Sequence, residues 1–165
     1  MKNSRKPGNV WTRALFLVLA GGLTGLLVNA LRPSGDIDWF YPWSMRVEAR
    51  AMAEGVPLVS LEHVRAAIET GSHMLIDARV DTEYHSGTIP GALSAPLSRV
   101  DEAFVELMMF ILPEDHLITF CSGPDCDEAL MLALYLRDQG LENVSLFVGG
   151  TEEWLAADLP LEGAP

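Results

Sequence analysis

Two cysteines, Cys121 and Cys126, stand five residues apart in the segment from Ile118 to Asp127, which reads ITFCSGPDCD. An apolar run there gives way to a short Gly/Pro loop and then to helix-forming sequence. A thiol at such a junction lies at the carboxyl end of a strand and faces the positive end of a helix dipole. Unpaired N–H groups of the loop and first turn can converge on it. Both effects favour the thiolate, which is the nucleophilic form, and the same N–H groups would hold a persulfide anion. Gly123 lets the loop turn tightly and Pro124 stiffens it. A packed, inert cysteine at a strand end also fits the spacing, since free Cys is commonly buried.

The neighbours of this thiol are acidic. Asp125, Asp127 and Glu128 follow it, and neither Arg nor Lys occurs in the loop from Ser122 onward. Helix-start chemistry accounts for the acids, with Asp127 as N-cap and Glu128 in the first turn. A loop without Arg is poorly suited to holding phosphate, which argues against a phosphatase. Cys126 has two readings: it resolves an oxidised or sulfurated Cys121 into a disulfide, or it is a packed thiol. Asp77 and Arg79 end an earlier apolar run. They either form an ion pair that shapes the rim of the site or a structural salt bridge. No Cys/His cluster has zinc spacing; His63, His73, His85 and His116 are scattered, so no metal and no cofactor is expected.

These residues need a scaffold, and from Val56 onward the pattern alternates strand and helix. Ser60 opens a helix with Leu61, Val64, Ala67 and Ile68 on one face and Gly71 beyond its end. Met74 to Ile76 is a buried-strand run ending at Asp77, Asp81 to His85 a helical turn, and Ala92 to Ala95 a short strand. Ser98 is expected to cap a helix through Phe110 with Val105, Met108 and Met109 inward. Leu117 to Phe120 is a second strand. Asp127 to Gln139 forms a helix closed by Gly140, Val144 to Val148 a third strand, and Glu152 to Ala157 a last helix after the Gly149-Gly150 turn. Strands separated by helices imply an α/β domain with a mostly parallel sheet, whose functional loops lie at the carboxyl ends of the strands. The loops after Ile76 and Phe120 are the ones to examine.

The chain has 165 residues, room for one domain and an appendage, and 49% hydrophobic content with a mean hydropathy of +0.20. All 23 acidic residues lie after Arg32, against the arginines at 46, 50, 65, 79, 99 and 137. A body so acidic repels phosphate backbones, which excludes nucleic acid as an expected partner.

The source of the high hydropathy is Ala14 to Leu31, ALFLVLAGGLTGLLVNAL, a run without charge. At ~1.5 Å per residue it extends about 27 Å, marginally enough for a hydrocarbon core. Lys2, Arg5, Lys6 and Arg13 precede it, so residues 1–13 form a basic N-terminus expected in the cytoplasm, and the globular body is expected on the far side of the membrane (the periplasm in a Gram-negative cell). A cleaved signal peptide is the alternative, with Val28-Asn29-Ala30 as the small-residue pattern; both readings export the domain. Residues 32–55 are read as a juxtamembrane linker with Trp39, Phe40, Tyr41 and Trp43 at headgroup level and a short helix from Met45 to Glu54. Residues 56–160 are the folded domain.

Taken in order, Ile76-Asp77-Ala78-Arg79, Glu83-Tyr84, Gly87, Ile89-Pro90-Gly91-Ala92, Thr119-Phe120-Cys121, Ala129 through Leu136 to Gly140, Val144, and Gly149-Gly150 with Trp154 resemble the rhodanese family over residues 56 to 160. The resemblance implies a parallel five-stranded α/β domain in which Cys121 cycles between thiol and persulfide as a sulfurtransferase or sulfur carrier. A small sulfane-sulfur donor, a thiol acceptor and the membrane would be its partners, with a membrane protein as a further candidate. Backbone amides from Ser122 to Glu128 would stabilise the sulfur anions. The departures are the acidic loop, which opposes a thiosulfate dianion, Cys126 in place of a basic or hydroxyl residue, and Thr88 where the family commonly has His. A thiol–disulfide switch through Cys121 and Cys126, and a non-catalytic binding module, remain alternatives.

Overall fold

A computed structural model describes residues 10–30 and 45–163; the aromatic run at residues 39–43 lies outside them. The chain divides into two units, Met1–Tyr41 and Pro42–Pro165. In the first, helix α1 spans Val10–Ala30, and its window Trp11–Val28 has a mean hydropathy of 1.6. By length and composition it can cross a membrane, and a signal sequence would satisfy the same criteria. Its hydroxyl at Thr24 donates to Ala20 O at 2.8 Å, which satisfies a polar group within the apolar run.

The second unit opens with α2, Met45–Ala53, and α3, Leu61–Thr70. Ser60 caps α3 by accepting from His63 N, and Gly71 closes it in the left-handed region at φ +63°. Strand β1 is Met74–Asp77, α4 is Asp81–His85 and β2 is Leu93–Ser94. A 3-10 turn at Leu97–Arg99 leads into α5, Val100–Leu107. Then come β3, Leu117–Phe120; α6, Glu128–Asp138; β4, Val144–Phe147; and α7, Gly150–Ala156.

All strand pairs are parallel, in the order β2-β1-β3-β4. Successive residues face opposite sides of the sheet. Ile76, Leu117 and Leu146 pack with α2, α5 and α6, whereas Leu75, Ile118, Phe120 and Phe147 pack with α3 and Trp154 of α7. Each fully buried side chain of this size contributes roughly 1.5–3 kcal/mol.

Three sequence expectations are corrected. The sheet has four strands among the described residues, not five: the extra pairing is a single bridge between Leu58 and Leu146. Pro57 supplies its carbonyl to Leu146 N but has no N–H for the preceding rung, and Ser60 turns the chain straight into α3. Helix α5 stops at Leu107, and Val105, Met108 and Met109 are exposed. The inward positions are Ala103, Leu107 and Ile111, spaced by four, which places Val105 and Met109 on the opposite side. Helix α2, read as part of a linker, buries Val47 and Ala51 in the domain core.

Candidate active site

Parallel register brings the loops after β1, β2 and β3 to one edge. Asp77 pairs with both Ser94 and Phe120, and Ala78 N donates to Phe120 O at 2.9 Å. Cys121 is the next residue along β3. These loops enclose a cavity of about 510 Å³ lined by Ala78, Arg79, Val80, Glu83, Leu97 and Ser98 on one side. Cys121, Ser122, Asp125, Cys126 and Glu128 line the other.

Cys121 is 4% exposed and belongs to the core cluster while bordering the cavity. It is therefore less open than a loop thiol at the end of a strand would be. It is also bonded to Cys126 as a disulfide, with the two Cα atoms 6.2 Å apart. The loop that permits this is tight: Cys126 N donates to Gly123 O at 3.1 Å. The amides of Ser122, Gly123, Asp125, Asp127 and Glu128 have no backbone acceptor among the described residues. Pro124 offers no N–H at all.

Glu128 sits in the first turn of α6, and its Oε2 lies 2.7 Å from Cys126 Sγ and 3.8 Å from Cys121 Sγ. On reduction the Cys126 thiol becomes a donor to that carboxylate. In the disulfide form the two sulfur atoms and a Glu128 carboxylate oxygen lie within 4.8 Å of one another. Asp127 occupies the N-cap position without capping. Its backbone is helical, and its carboxylate instead accepts from Arg50 Nη1 of α2 at 3.0 Å, both side chains being half exposed.

Asp77 and Arg79 form a buried pair, at 0% and 8% exposure. Arg79 Nε donates to both carboxylate oxygens at 3.0 and 3.1 Å, Nη2 to Oδ2 at 2.6 Å, and its backbone N to Oδ1 at 3.0 Å. Nη2 also reaches Gly87 O at 2.8 Å, which ties the β1 loop to the turn after α4. The guanidinium at the cavity wall is thus neutralised by its own partner, and Glu83, Asp125 and Glu128 leave the cavity acidic. The pair is a buried structural ion pair, and its Arg79 member also lines the cavity.

Several supports make contacts that no local sequence pattern specifies. Thr88 Oγ1 donates to Asp77 Oδ2 at 2.7 Å. The start of α7 holds the cysteine loop by its carbonyls, Thr151 N donating to Cys121 O at 3.0 Å and Glu152 N to Ser122 O at 2.8 Å. Helix N-termini have such donors to spare. Gly150 makes the approach possible: at φ +56°, a Cβ there would collide with the carbonyl of Cys121. Arg99 donates to Asp81 at 3.0 Å beyond the rim and holds that carboxyl below its usual range.

The chain is 35% identical over 112 residues to the human thiosulfate:glutathione sulfurtransferase, covering 61% of this chain and 95% of that protein. Among solved structures, the human single-domain sulfurtransferase superposes with a TM-score of 0.54 at 31% identity, covering 61% of this chain and 96% of that one. The BH2092 protein of Bacillus halodurans superposes with a TM-score of 0.60 at 24% identity, covering 71% and 84%, a likeness of fold. The sequence profile of the rhodanese-like domain matches residues 60–157, and with the parallel sheet and the Cys121 loop in place, the chain belongs to the rhodanese-like domain family.

Proposed function

We propose that this domain is a sulfurtransferase in which Cys121 carries sulfane sulfur as a persulfide. The observation that supports it most is the position of Cys121 against a 510 Å³ cavity, beside loop amides that have no backbone acceptor. The activity named for the human relative, transfer between thiosulfate and glutathione, is of the same class. The Cys121 thiolate attacks the outer sulfur of a donor; the new S–S bond forms as the donor's remaining fragment leaves with the electron pair of the broken bond. An acceptor thiolate then attacks the terminal sulfur and Cys121 leaves as thiolate. The loop amides stabilise both anions.

The Cys121–Cys126 disulfide favours a second, compatible reading in which the transferase is switched off by oxidation. Two electrons from a dithiol reductant reopen the pair before any sulfur is loaded. Helix α1, whose apolar run from Ala14 follows four basic residues in the sequence, supports tethering of the domain to a membrane, with the body on the extracytoplasmic side. Intact-mass spectrometry of the reduced chain after treatment with a sulfane donor tests the main reading. A gain of one sulfur atom, absent in Cys121→Ser, is expected; no gain with several donors overturns it.

A further inference from the structure

Three of the four histidines, scattered in the sequence, meet at the end of the sheet opposite Cys121. His73 immediately precedes β1 and His116 immediately precedes β3. The register Met74 to Leu117, with Met74 N donating to His116 O at 2.9 Å, sets them side by side. Their ring centroids are 5.3 Å apart. Helix α3 supplies His63, whose ring lies edge-on to that of His73 at 5.0 Å, with the two Nε2 atoms 3.5 Å apart. With strands of four residues at ~3.3 Å each, this cluster lies about 13 Å from the cysteine end.

The surrounding hydroxyls set the tautomer of His73. Thr70 Oγ1 is 2.7 Å from Ala66 O and 2.9 Å from Ser72 Oγ, and Ser72 Oγ is 2.9 Å from His73 Nδ1. Ala66 O can only accept, so the single Thr70 proton goes to it. Ser72 then donates to Thr70, which leaves the Ser72 oxygen to accept from His73 Nδ1–H. The Nε2 of His73 therefore carries a lone pair directed at His63 Nε2. Two nitrogens bound to one tetrahedral Zn2+ are separated by about 3.4 Å, close to the separation already present.

We propose that His63, His73 and His116 form a binding site for a divalent first-row cation that prefers imidazole, Zn2+ or Cu2+. The proton on His63 Nε2 moves through solvent to its Nδ1, so that both Nε2 atoms ligate the cation as neutral imidazoles, and His116, exposed at the surface, turns its ring to supply the third nitrogen. Ser72 is the outer partner that orients His73.

The test titrates the full chain in detergent with Zn2+, in two forms that remove the competing thiol ligands: the air-oxidised protein and the Cys121→Ser/Cys126→Ser double variant. One equivalent is expected to bind in both, more weakly by at least tenfold in His73→Gln and in His116→Gln, by roughly tenfold in Ser72→Ala, and unchanged in His85→Gln. His116 is exposed, so its variant folds even if replacement of His73 disturbs the domain; metal-free thermal unfolding verifies this. Cu2+ in the same protein is expected to show nitrogen superhyperfine splitting in its electron paramagnetic resonance spectrum. Zn2+ affinity indifferent to His116→Gln, absence of stoichiometric binding, or a Cu2+ spectrum with oxygen ligands alone overturns the proposal.

Discussion

The hydroxyl of Thr88 donates to Oδ2 of Asp77 at 2.7 Å, the same oxygen that accepts from Arg79 Nη2. Three separate segments therefore converge on one fully buried carboxylate: the end of β1, the turn after it, and the chain beyond α4. Thr88 is itself pinned on its backbone by paired hydrogen bonds to Glu162, Thr88 N to Glu162 O at 2.9 Å and Glu162 N to Thr88 O at 2.8 Å. Asp77 is in this way the point where the rim of the cavity joins the segment around Glu162.

Removing one member of this group leaves a buried polar atom unpaired. Thr88→Val is expected to lower stability by about 1–3 kcal/mol, whereas Arg79→Ala strips the charge partner from Asp77 and is expected to lose about 3–5 kcal/mol. Urea unfolding monitored by circular dichroism checks both. Equal midpoints for Arg79→Ala and the unaltered chain would show that the pair contributes nothing.

Gly150 tests the support under the cysteine loop. Alanine at φ +56° is strained, and its methyl group would displace the Cys121 carbonyl from Thr151 N. Gly150→Ala is expected to reduce sulfur loading of Cys121 at least tenfold while the sheet persists, at a stability loss of roughly 2 kcal/mol. Loading and far-ultraviolet circular dichroism measured on one preparation separate the two effects.

The acidic cavity gives a prediction about donors. Glu128 directs a carboxylate oxygen at both sulfurs, and the one cation of the lining, Arg79, is occupied by Asp77. A thiosulfate dianion must approach against that charge. Glu128→Gln is expected to raise kcat/KM for thiosulfate by roughly tenfold and to change the rate with an uncharged organic sulfane donor by much less. A parallel rise with both donors would assign Glu128 to packing instead.

Much of the frame was legible because it is written in local patterns. The runs at Met74 and Leu117, the cap at Ser60 and the placement of Cys121 after an apolar strand each occupy a few consecutive residues, and the structure reproduces them. What escaped depends on register and distance. Thr88 meets Asp77 across eleven positions, and His73 meets His116 only because β1 and β3 pair in parallel. Asp127 looked like a cap, but Arg50, brought in by the docking of α2, captured its carboxylate. Phase errors explain α5: apolar Val105, Met108 and Met109 suggested an inward face, yet the helix turned Ala103 and Leu107 to the core.

The disulfide gives the last prediction. Oxidised chain is expected to take up no sulfur and to resist alkylation, because neither sulfur is a thiol. Treatment with a dithiol restores both reactions. Cys126→Ser, unable to close the pair, is expected to load sulfur without reductant and to keep doing so under mild oxidant that silences the unaltered chain. Cys121→Ser is expected to stay unloaded in every condition. The comparison separates carrier from switch: if Cys126→Ser loses loading as completely as Cys121→Ser, Cys126 takes part in the transfer itself, and oxidation is not a separate control laid over it.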